Sequence, residues 1–183
     1  MKASSPRIFL TGAPRVGKTT VVDELTERLK EAGLRPGGIV TAEVRKNGRR
    51  VGFTTTEIDG PAALIAHQNW TDGPRVGRYH VNVSTFEQIA LPALDCAAAH
   101  ADVIVVDEIG RMELFSDAFV SRLEKLLASP HPLVATAQLA PHPLLDDLKA
   151  REDIELVTVS ETNRDSLAAR VASRLIADLA CPP

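Results

Sequence analysis

A glycine-containing loop near the amino terminus constrains the fold more than any other part of the sequence. Residues 12–19 read GAPRVGKT and match the pattern G-x-x-x-x-G-K-[S/T]. A short apolar run over residues 7–10 precedes the loop, and apolar residues recur at helical spacing over residues 18–31. The sequence therefore predicts a strand, a phosphate-binding loop and a helix whose amino terminus faces the bound phosphates.

Each residue type in this loop suits the binding of a triphosphate. Glycine lets the backbone turn tightly and point several N–H groups inward. Lys18 brings a mobile positive charge to the β- and γ-phosphates, and Thr19 offers its hydroxyl to Mg²⁺. Arg15 either contacts phosphate or points to solvent. The predicted nucleotide-binding residues of the loop are Gly12, Ala13, Pro14, Arg15, Val16, Gly17, Lys18, Thr19 and Thr20.

Two carboxylates follow a buried strand predicted over residues 103–106. Asp107 comes directly after four β-branched residues, where it should reach Mg²⁺ or its water. Glu108 should lean toward the γ-phosphate, because we expect the strand to end before it, and should deprotonate the attacking water. Ile109 and Gly110 complete this part of the predicted nucleotide site. The alternative interpretation is a solvated strand end.

A cation beyond Lys18 often assists phosphoryl transfer, since charge builds on the γ- and bridging oxygens. Four arginines are candidates for this role, and each has a solvent-facing position as the alternative. These candidates are Arg45, Arg75, Arg78 and Arg111.

Polar residues at two other predicted strand ends complete the candidate site. Asn163 and Arg164 precede the last predicted helix, where Arg164 could stack on a base. Alternatively, Asn163 or Asp165 only caps that helix. Thr136 or Gln138 could touch the attacking water, the alternative being a plain strand end.

The remaining pattern predicts an α/β fold: a three-layer sandwich of a mainly parallel sheet with helices on both faces. One domain should span residues 1–183, with residues 45–83 forming a small antiparallel hairpin insertion around the turn at Asn47-Gly48. Further strands are predicted over 38–44, 51–56, 62–66, 132–137 and 155–159, and helices over 84–100, 115–129, 144–150 and 164–179. Ser84 should open the second helix through a capping box, and Pro92 should kink or split that helix.

Composition and charge exclude several classes of protein. A formal net charge of -3 gives no general attraction to nucleic acid or anionic lipid. No run approaches the roughly 20 apolar residues that a membrane span needs. The amino terminus lacks the apolar core of a signal peptide, and Cys96 and Cys181 do not form a disulfide framework. We therefore expect a cytoplasmic monomer that binds neither membranes nor nucleic acid.

An ordered set of motifs resembles one family over nearly the whole chain. The chain resembles the small THEP-type P-loop nucleoside-triphosphatases, which are also described as cancer-related nucleoside-triphosphatases. The resemblance rests on six segments: GAPRVGKTT, TAEVRKNGRRVGF, RVGRYHVNV, IALPAL, DEIGRMELFS and ETNRD. The resemblance implies a P-loop NTPase fold and Mg²⁺-dependent hydrolysis of ATP, GTP and other nucleoside triphosphates. This chain departs from the family at Arg15, where glycine is expected, and at Arg111, where proline or lysine is common.

Three functions fit these features. The first is a nucleoside-triphosphatase with water as the acceptor and Glu108 as the base. The second is a nucleoside or nucleotide kinase, which needs a second substrate pocket and usually a lid. The third is a binding module that is gated by nucleotide and reset by hydrolysis. The fate of the γ-phosphate distinguishes them: free phosphate, transfer to an added nucleoside, or capture of a macromolecule.

The loop recognises phosphates, and the sequence has no guanine-specific Asn-Lys-x-Asp motif. Purine and pyrimidine triphosphates should therefore both be hydrolysed, with rates that differ by less than the roughly 10⁴-fold that a hydrogen-bonding specificity pocket can impose. Phosphate release from ATP, GTP, CTP and UTP measures this. Strict use of one base would reveal a base-reading pocket, and the segment around Asn163 and Arg164 is where it would lie.

Overall fold

Nine strands form one mixed sheet in the computed structural model, which describes residues 5–180. The strands are β1 (Arg7–Thr11), β2 (Pro36–Lys46), β3 (Arg49–Glu57), β4 (Ala62–His67), β5 (Arg75–Val76), β6 (Tyr79–Val81), β7 (Val103–Ile109), β8 (Leu133–Ala137) and β9 (Glu155–Thr158). The helices are α1 (Lys18–Glu31), α2 (Val83–His100), α3 (Asp117–Leu127), α4 (Pro143–Lys149) and α5 (Arg164–Ala180). A 3₁₀ turn at Glu113–Phe115 lies between β7 and α3.

The sheet has a parallel part and an antiparallel part. Its order is β5-β6-β4-β3-β2-β7-β8-β1-β9. Strands β2, β7, β8, β1 and β9 run parallel, so their carboxyl ends share one edge. Strands β3, β4, β6 and β5 continue the same sheet by antiparallel pairing. The chain from β3 to β6 thus extends one side of the parallel sheet.

Helices cover both faces of the sheet, and each face has its own apolar core. Helices α1 and α5 pack on one face over residues such as Leu10 and Leu25. Helices α2 and α3 cover the other, where Phe86 and Phe119 meet edge to face at 5.2 Å. The three-layer α/β prediction is confirmed. Within residues 5–180, none of the helices is long and apolar enough to cross a membrane.

Several predicted element boundaries were wrong. Strand β7 continues to Ile109 instead of ending at residue 106, so Asp107 and Glu108 lie within it. Helix α2 begins at Val83, because the Asn82 side chain, not that of Ser84, caps it by accepting the Thr85 N–H at 2.9 Å. The same helix continues through Pro92 as one element.

Other local predictions were right. Asn47 and Gly48 both have positive φ, 51° and 75°, as a tight hairpin turn between β2 and β3 requires. Ser116 caps α3 by accepting the Phe119 N–H at 3.0 Å. The absence of a disulfide framework stays a prediction, because Cys96 is exposed but Cys181 lies outside the described residues.

Gly38 lets β2 approach β7 closely. Its φ is +131°, and a Cβ there would lie 2.0 Å from the Val105 carbonyl oxygen. Any larger residue must therefore separate the strand that leads to the antiparallel extension from the strand that carries Asp107.

Gly38→Ala should lower the free energy of unfolding by at least about 2 kcal/mol more than Gly77→Ala, since overpacking adds to backbone strain. Gly77 is the matched control, because it also has positive φ (59°) but nothing lies within 4 Å of its would-be Cβ. Urea denaturation followed by circular dichroism measures both variants. Equal losses of unfolding free energy in the two variants would show that small backbone shifts relieve the contact between the added Cβ and the Val105 carbonyl oxygen.

Candidate active site

The backbone conformation of the predicted phosphate-binding loop depends on two glycines. At Gly12, φ is +154°, and a Cβ would lie 2.7 Å from the carbonyl oxygen of Val159, just beyond β9. Gly17 has φ of +110° and directly precedes α1. The first N–H groups of α1 and those of the loop therefore face the same concave surface, which suits an anion.

Charged side chains of the loop lie around this concave surface. Lys18 Nζ donates to the Gly12 carbonyl at 3.3 Å, which holds the ammonium group over the loop. Arg15 is exposed and has φ of 66°, in the left-handed region that glycine adopts without strain. That backbone conformation gives a physical reason why glycine is expected at this position in the family.

A bulge at the end of β7 presents Asp107 and Glu108. Val106 pairs with Ala135 and Ile109 pairs with Ala137, so two residues of β7 lie opposite the single residue Thr136 of β8. In a regular strand, consecutive side chains point to opposite faces, and a bulge changes that alternation. Both carboxylates consequently line the same cavity as the loop, although the strand does not end before them.

Asp107 is almost completely buried, with 1% of its surface exposed. Thr136 donates a short hydrogen bond to Oδ1, whereas Oδ2 has no hydrogen-bond partner among residues 5–180. Burial raises the pKa of Asp107 to about 6, and the hydroxyls of Thr136 and Thr19 partly oppose that rise. A buried carboxylate oxygen without a partner, close to a threonine hydroxyl, fits a hard divalent cation that takes oxygen ligands.

Glu108 lies half-buried beside Asp107, on the cavity wall. Burial raises its pKa, while the positive charge of Lys18 acts in the opposite direction. A carboxylate with a raised pKa is a stronger base than an exposed one. The Glu108 carboxylate lies close enough to Lys18 for the two charges to interact.

Glu113 is a third carboxyl group at this site, and the sequence reasoning did not single it out. It is 3% exposed, and its Oε2 accepts the Gly110 N–H at 3.2 Å. Burial first, and then the charge of Glu108, raise the pKa of Glu113 to about 8. A Cβ on Gly110 would lie 3.1 Å from an oxygen of each glutamate, so a larger residue there would crowd both carboxyl groups.

Loop and strand residues line one cavity of about 810 Å³. We call one part of this cavity its inner half, which is formed by Gly17, Lys18, Thr19, Asp107, Glu108 and Glu113. Its outer half is formed by Glu43, Arg50, Phe53, Val76 and Met112. Pro14, Arg15 and Thr20 from the loop also border the cavity, whereas the predicted site residues Gly12, Ala13, Val16, Ile109 and Gly110 do not line it.

Of the four candidate arginines, the structure brings only Arg111 to the described cavity wall. Arg45 is exposed and pairs with Glu43. Arg75 is exposed and donates to the Gly77 carbonyl at 2.6 Å. Arg78 is held by the Tyr79 hydroxyl and the Arg50 carbonyl. Apart from Arg111, these candidates are therefore misplaced for a role at the γ-phosphate.

Arg50 lines the cavity instead, and no motif in the sequence singles it out. It lies in a run with Arg49 directly after the β2–β3 turn, where charge alone does not show which guanidinium faces inward. The alternation of side chains across β3, once its register with β2 is known, places Arg50 beside Glu43 on the cavity wall.

The remaining predicted residues have local partners. The Asn163 side chain accepts from Ser160 N–H at 2.9 Å and donates to the Thr158 carbonyl at 2.8 Å, so it shapes the turn before α5. Arg164 donates to the Val16 carbonyl at 3.3 Å and lies against the loop. Its neighbour Asp165 pairs with it at 3.5 Å and is exposed.

The two polar residues of β8 and its end contact the β7 segment. Thr136 is fully buried and holds Asp107, which makes it a positioning group and not a contact for the attacking water. The Gln138 side-chain oxygen accepts the Arg111 N–H at 3.2 Å, and Gln138 borders the cavity.

Comparison with known proteins places this arrangement in a family. The family model described as NTPase matches residues 7–172. A nucleoside-triphosphatase THEP1 from Methanosarcina acetivorans is 42% identical over 176 residues, covering 94% of this chain and 98% of the relative. The crystal structure of THEP1 from Aquifex aeolicus superposes with a TM-score of 0.82 at 33% identity, over 92% of this chain and 98% of that one. The solution structure of a human cancer-related nucleoside triphosphatase superposes with a TM-score of 0.79 at 34% identity, over 93% of this chain and 97% of that one.

The raised pKa of Glu113 predicts a pH effect on stability. Because the folded protein holds this proton up to about pH 8 and the unfolded chain releases it near 4.5, the free energy of unfolding should fall between those values as the pH rises. Glu113→Gln keeps an acceptor for the Gly110 N–H and removes the titration. The free energy of unfolding of this variant should fall less steeply with pH than that of the parent. The two slopes should differ by at most about 1.4 kcal/mol per pH unit.

Urea titrations between pH 5 and pH 8 in the presence of a chelator measure this slope. Glu124→Gln, which changes an exposed glutamate on α3, is the control and should keep the parent profile. A Glu113→Gln profile as steep as that of the parent would contradict the buried, protonated state of Glu113.

Proposed function

Because the chain belongs to this NTPase family, we propose that it hydrolyses nucleoside triphosphates to the diphosphate and phosphate, with Mg²⁺ as cofactor. The observation that carries the proposal is that the phosphate-binding loop and the Asp107–Glu108 pair, 87 residues apart or more in sequence, line one cavity. Phosphate recognition and a base are thereby brought together.

Substrate binding rests on the loop and on α1. The N–H groups of the loop and the positive end of the α1 dipole bind the phosphate oxygens. Lys18 leaves the Gly12 carbonyl at little cost and bridges the β- and γ-phosphates. Arg111, whose side chain borders the cavity, adds a second positive charge on the γ side.

Thr19 and Asp107 are the residues that would hold Mg²⁺. The partnerless Oδ2 of Asp107 and the nearby Thr19 hydroxyl supply oxygen ligands, and the phosphates supply the rest. The ion would neutralise charge that develops on the β- and γ-phosphate oxygens. No group of three or more His, Cys, Asp or Glu side chains within residues 5–180 forms a separate metal site.

Glu108 carries the chemical step. It accepts a proton from a water molecule as the water oxygen attacks the γ-phosphorus, and the bond from phosphorus to the β–γ bridging oxygen breaks. That oxygen leaves with the diphosphate, and the proton passes from Glu108 to solvent or phosphate. Burial, which raises the pKa of Glu108, makes the carboxylate a better proton acceptor.

Broad base use, a cytoplasmic location and a monomeric state stay predictions from the sequence. Arg164 lies against the loop and would stack on a base without selecting one. The kinase alternative is not favoured, because the relatives are named as nucleoside-triphosphatases.

Two isosteric substitutions separate the roles of the paired carboxylates. Glu108→Gln should retain affinity for Mg²⁺ and triphosphate, but single-turnover hydrolysis should fall by roughly 10²–10⁴-fold, the range for loss of a general base. Asp107→Asn should instead weaken nucleotide binding mainly when Mg²⁺ is present. Nucleotide affinity with and without Mg²⁺, together with single-turnover rates, gives both quantities.

Glu152→Gln, an exposed change far along the chain, is the control and should behave as the parent. Hydrolysis at the parent rate by Glu108→Gln would show that another group activates the water. Equal loss of binding in both variants, regardless of Mg²⁺, would indicate a folding defect, which circular dichroism tests directly.

A further inference from the structure

The proposed hydrolysis uses the inner half of the cavity and leaves the outer half without a role. Asn163 and Arg164, beside which the nucleoside of the triphosphate should lie, do not border this cavity. The outer half therefore lies beyond the γ-phosphate, on the side away from that nucleoside. It is walled by β2, β3, β5 and the Met112 segment.

Arg50 presents a fixed guanidinium to the outer half. Its Nη1 donates to Glu43 Oε1 at 2.6 Å, and its Nε donates to the Tyr79 hydroxyl at 3.0 Å. The guanidinium also stacks 5.1 Å from the Phe53 ring centroid and 5.4 Å from that of Tyr79. Its Nη2 has no hydrogen-bond partner within residues 5–180, so a held donor group is available to a ligand.

Glu43 provides an acceptor next to that donor. One oxygen accepts from Arg50 and the other accepts from Arg45 at 2.6 Å. Although burial opposes it, these hydrogen bonds hold the pKa of Glu43 below its usual range. A carboxylate has about four lone-pair sites, so the group can accept from a ligand as well.

An apolar wall accompanies this donor–acceptor pair. Phe53 is fixed by edge-to-face packing on Tyr79, with ring centroids 5.2 Å apart. Val76 and Met112 border the same half of the cavity, and Met112 is buried against Tyr79. Flat apolar surface beside an adjacent donor and acceptor matches the edge and face of a nucleobase.

We propose that the outer half of the cavity is a second nucleoside-binding subsite, on the γ-phosphate side of the bound triphosphate. The proposal rests on the proposed function, which places the phosphates in the inner half. The whole cavity, of about 810 Å³, holds the phosphates in its inner half under the proposed function and leaves the outer half for the second nucleoside; ligand sites typically have roughly 300–1,000 Å³.

Charge favours a neutral planar ligand over an ion. A free anion would meet Glu43 together with the inner carboxylates, and a free cation would meet Arg50 and Arg111. A neutral base that donates to Glu43 and accepts from Arg50 meets neither penalty.

Diadenosine polyphosphates test the subsite, because one molecule can occupy both halves of the cavity. Affinities of the Mg²⁺ complexes of diadenosine tri-, tetra-, penta- and hexaphosphate are measured by calorimetry and compared with ATP and adenosine 5′-tetraphosphate. Linking two sites raises affinity only when the linker spans them. At least one longer compound should bind about tenfold or more tightly than adenosine tetraphosphate, with an optimum in phosphate number.

Two variants test whether the gain in affinity from the second adenosine arises in the outer half of the cavity. Phe53→Leu removes the ring and keeps apolar volume, and Arg50→Lys keeps charge but removes the planar fork. Both should abolish the gain from the second adenosine and leave ATP affinity within about twofold. Arg75→Lys, an exposed change outside the cavity, should keep the full gain.

The outcomes separate this proposal from the proposed function. Tight binding of ATP with no gain for any diadenosine compound overturns the subsite alone. A gain that survives Phe53→Leu and Arg50→Lys also overturns it, since the second base must then lie elsewhere. Failure of ATP itself to bind would overturn the proposed function. The phosphate-number series in the parent protein needs no variant, so misfolding cannot mask the result.

Discussion

Three carboxyl groups lie buried together at the end of one strand, and they constrain the rest of the site. Asp107 and Glu113 are 1% and 3% exposed, and Glu108 is half-buried. Ionised carboxyls in such a place repel one another and are poorly solvated, unless protons or cations compensate. The structure offers Lys18 and the Thr136 hydroxyl, and the raised pKa of Glu113 favours its neutral form. A divalent cation with a triphosphate would complete the compensation, which links folding of the site to its ligand.

Strand β2 connects that buried cluster to the outer half of the cavity. Its first part pairs with β7 in the parallel sheet, and its second part pairs only with β3. Gly38 allows the close contact with β7, while Glu43 lies beyond the parallel part. One continuous strand of 11 residues therefore carries both the packing that supports Asp107 and the Glu43 carboxylate on the outer half of the same cavity.

The sequence predicted those parts of the protein whose chemistry is local. The loop, its strand and its helix follow from glycine spacing and apolar period, and Ser116 and the Asn47-Gly48 turn follow from short-range hydrogen bonding and φ. The end of β7 and the inward position of Arg50 could not be found in this way, because they depend on pairing between segments far apart in the chain. The Asn82 cap is local, but Ser84 two residues later offers a competing capping pattern in the sequence. Three misplaced arginines show the same limit, because charge alone does not fix direction.

The position of β1 between β8 and β9 has a consequence for how the protein forms during synthesis. Strand β1 is made well before these two neighbours, which begin at Leu133 and Glu155. At about 5–20 residues per second, a ribosome needs roughly 6–30 s to make those partners after β1 is complete. The first helical turn of α1 and the loop before it are therefore synthesised well before the strands that neighbour β1. The antiparallel strands β2, β3 and β4, which are adjacent in sequence, can pair much earlier. The nucleotide-binding loop therefore gains the support of its sheet neighbours only late in synthesis, and stabilisation by bound nucleotide is expected to begin at that point.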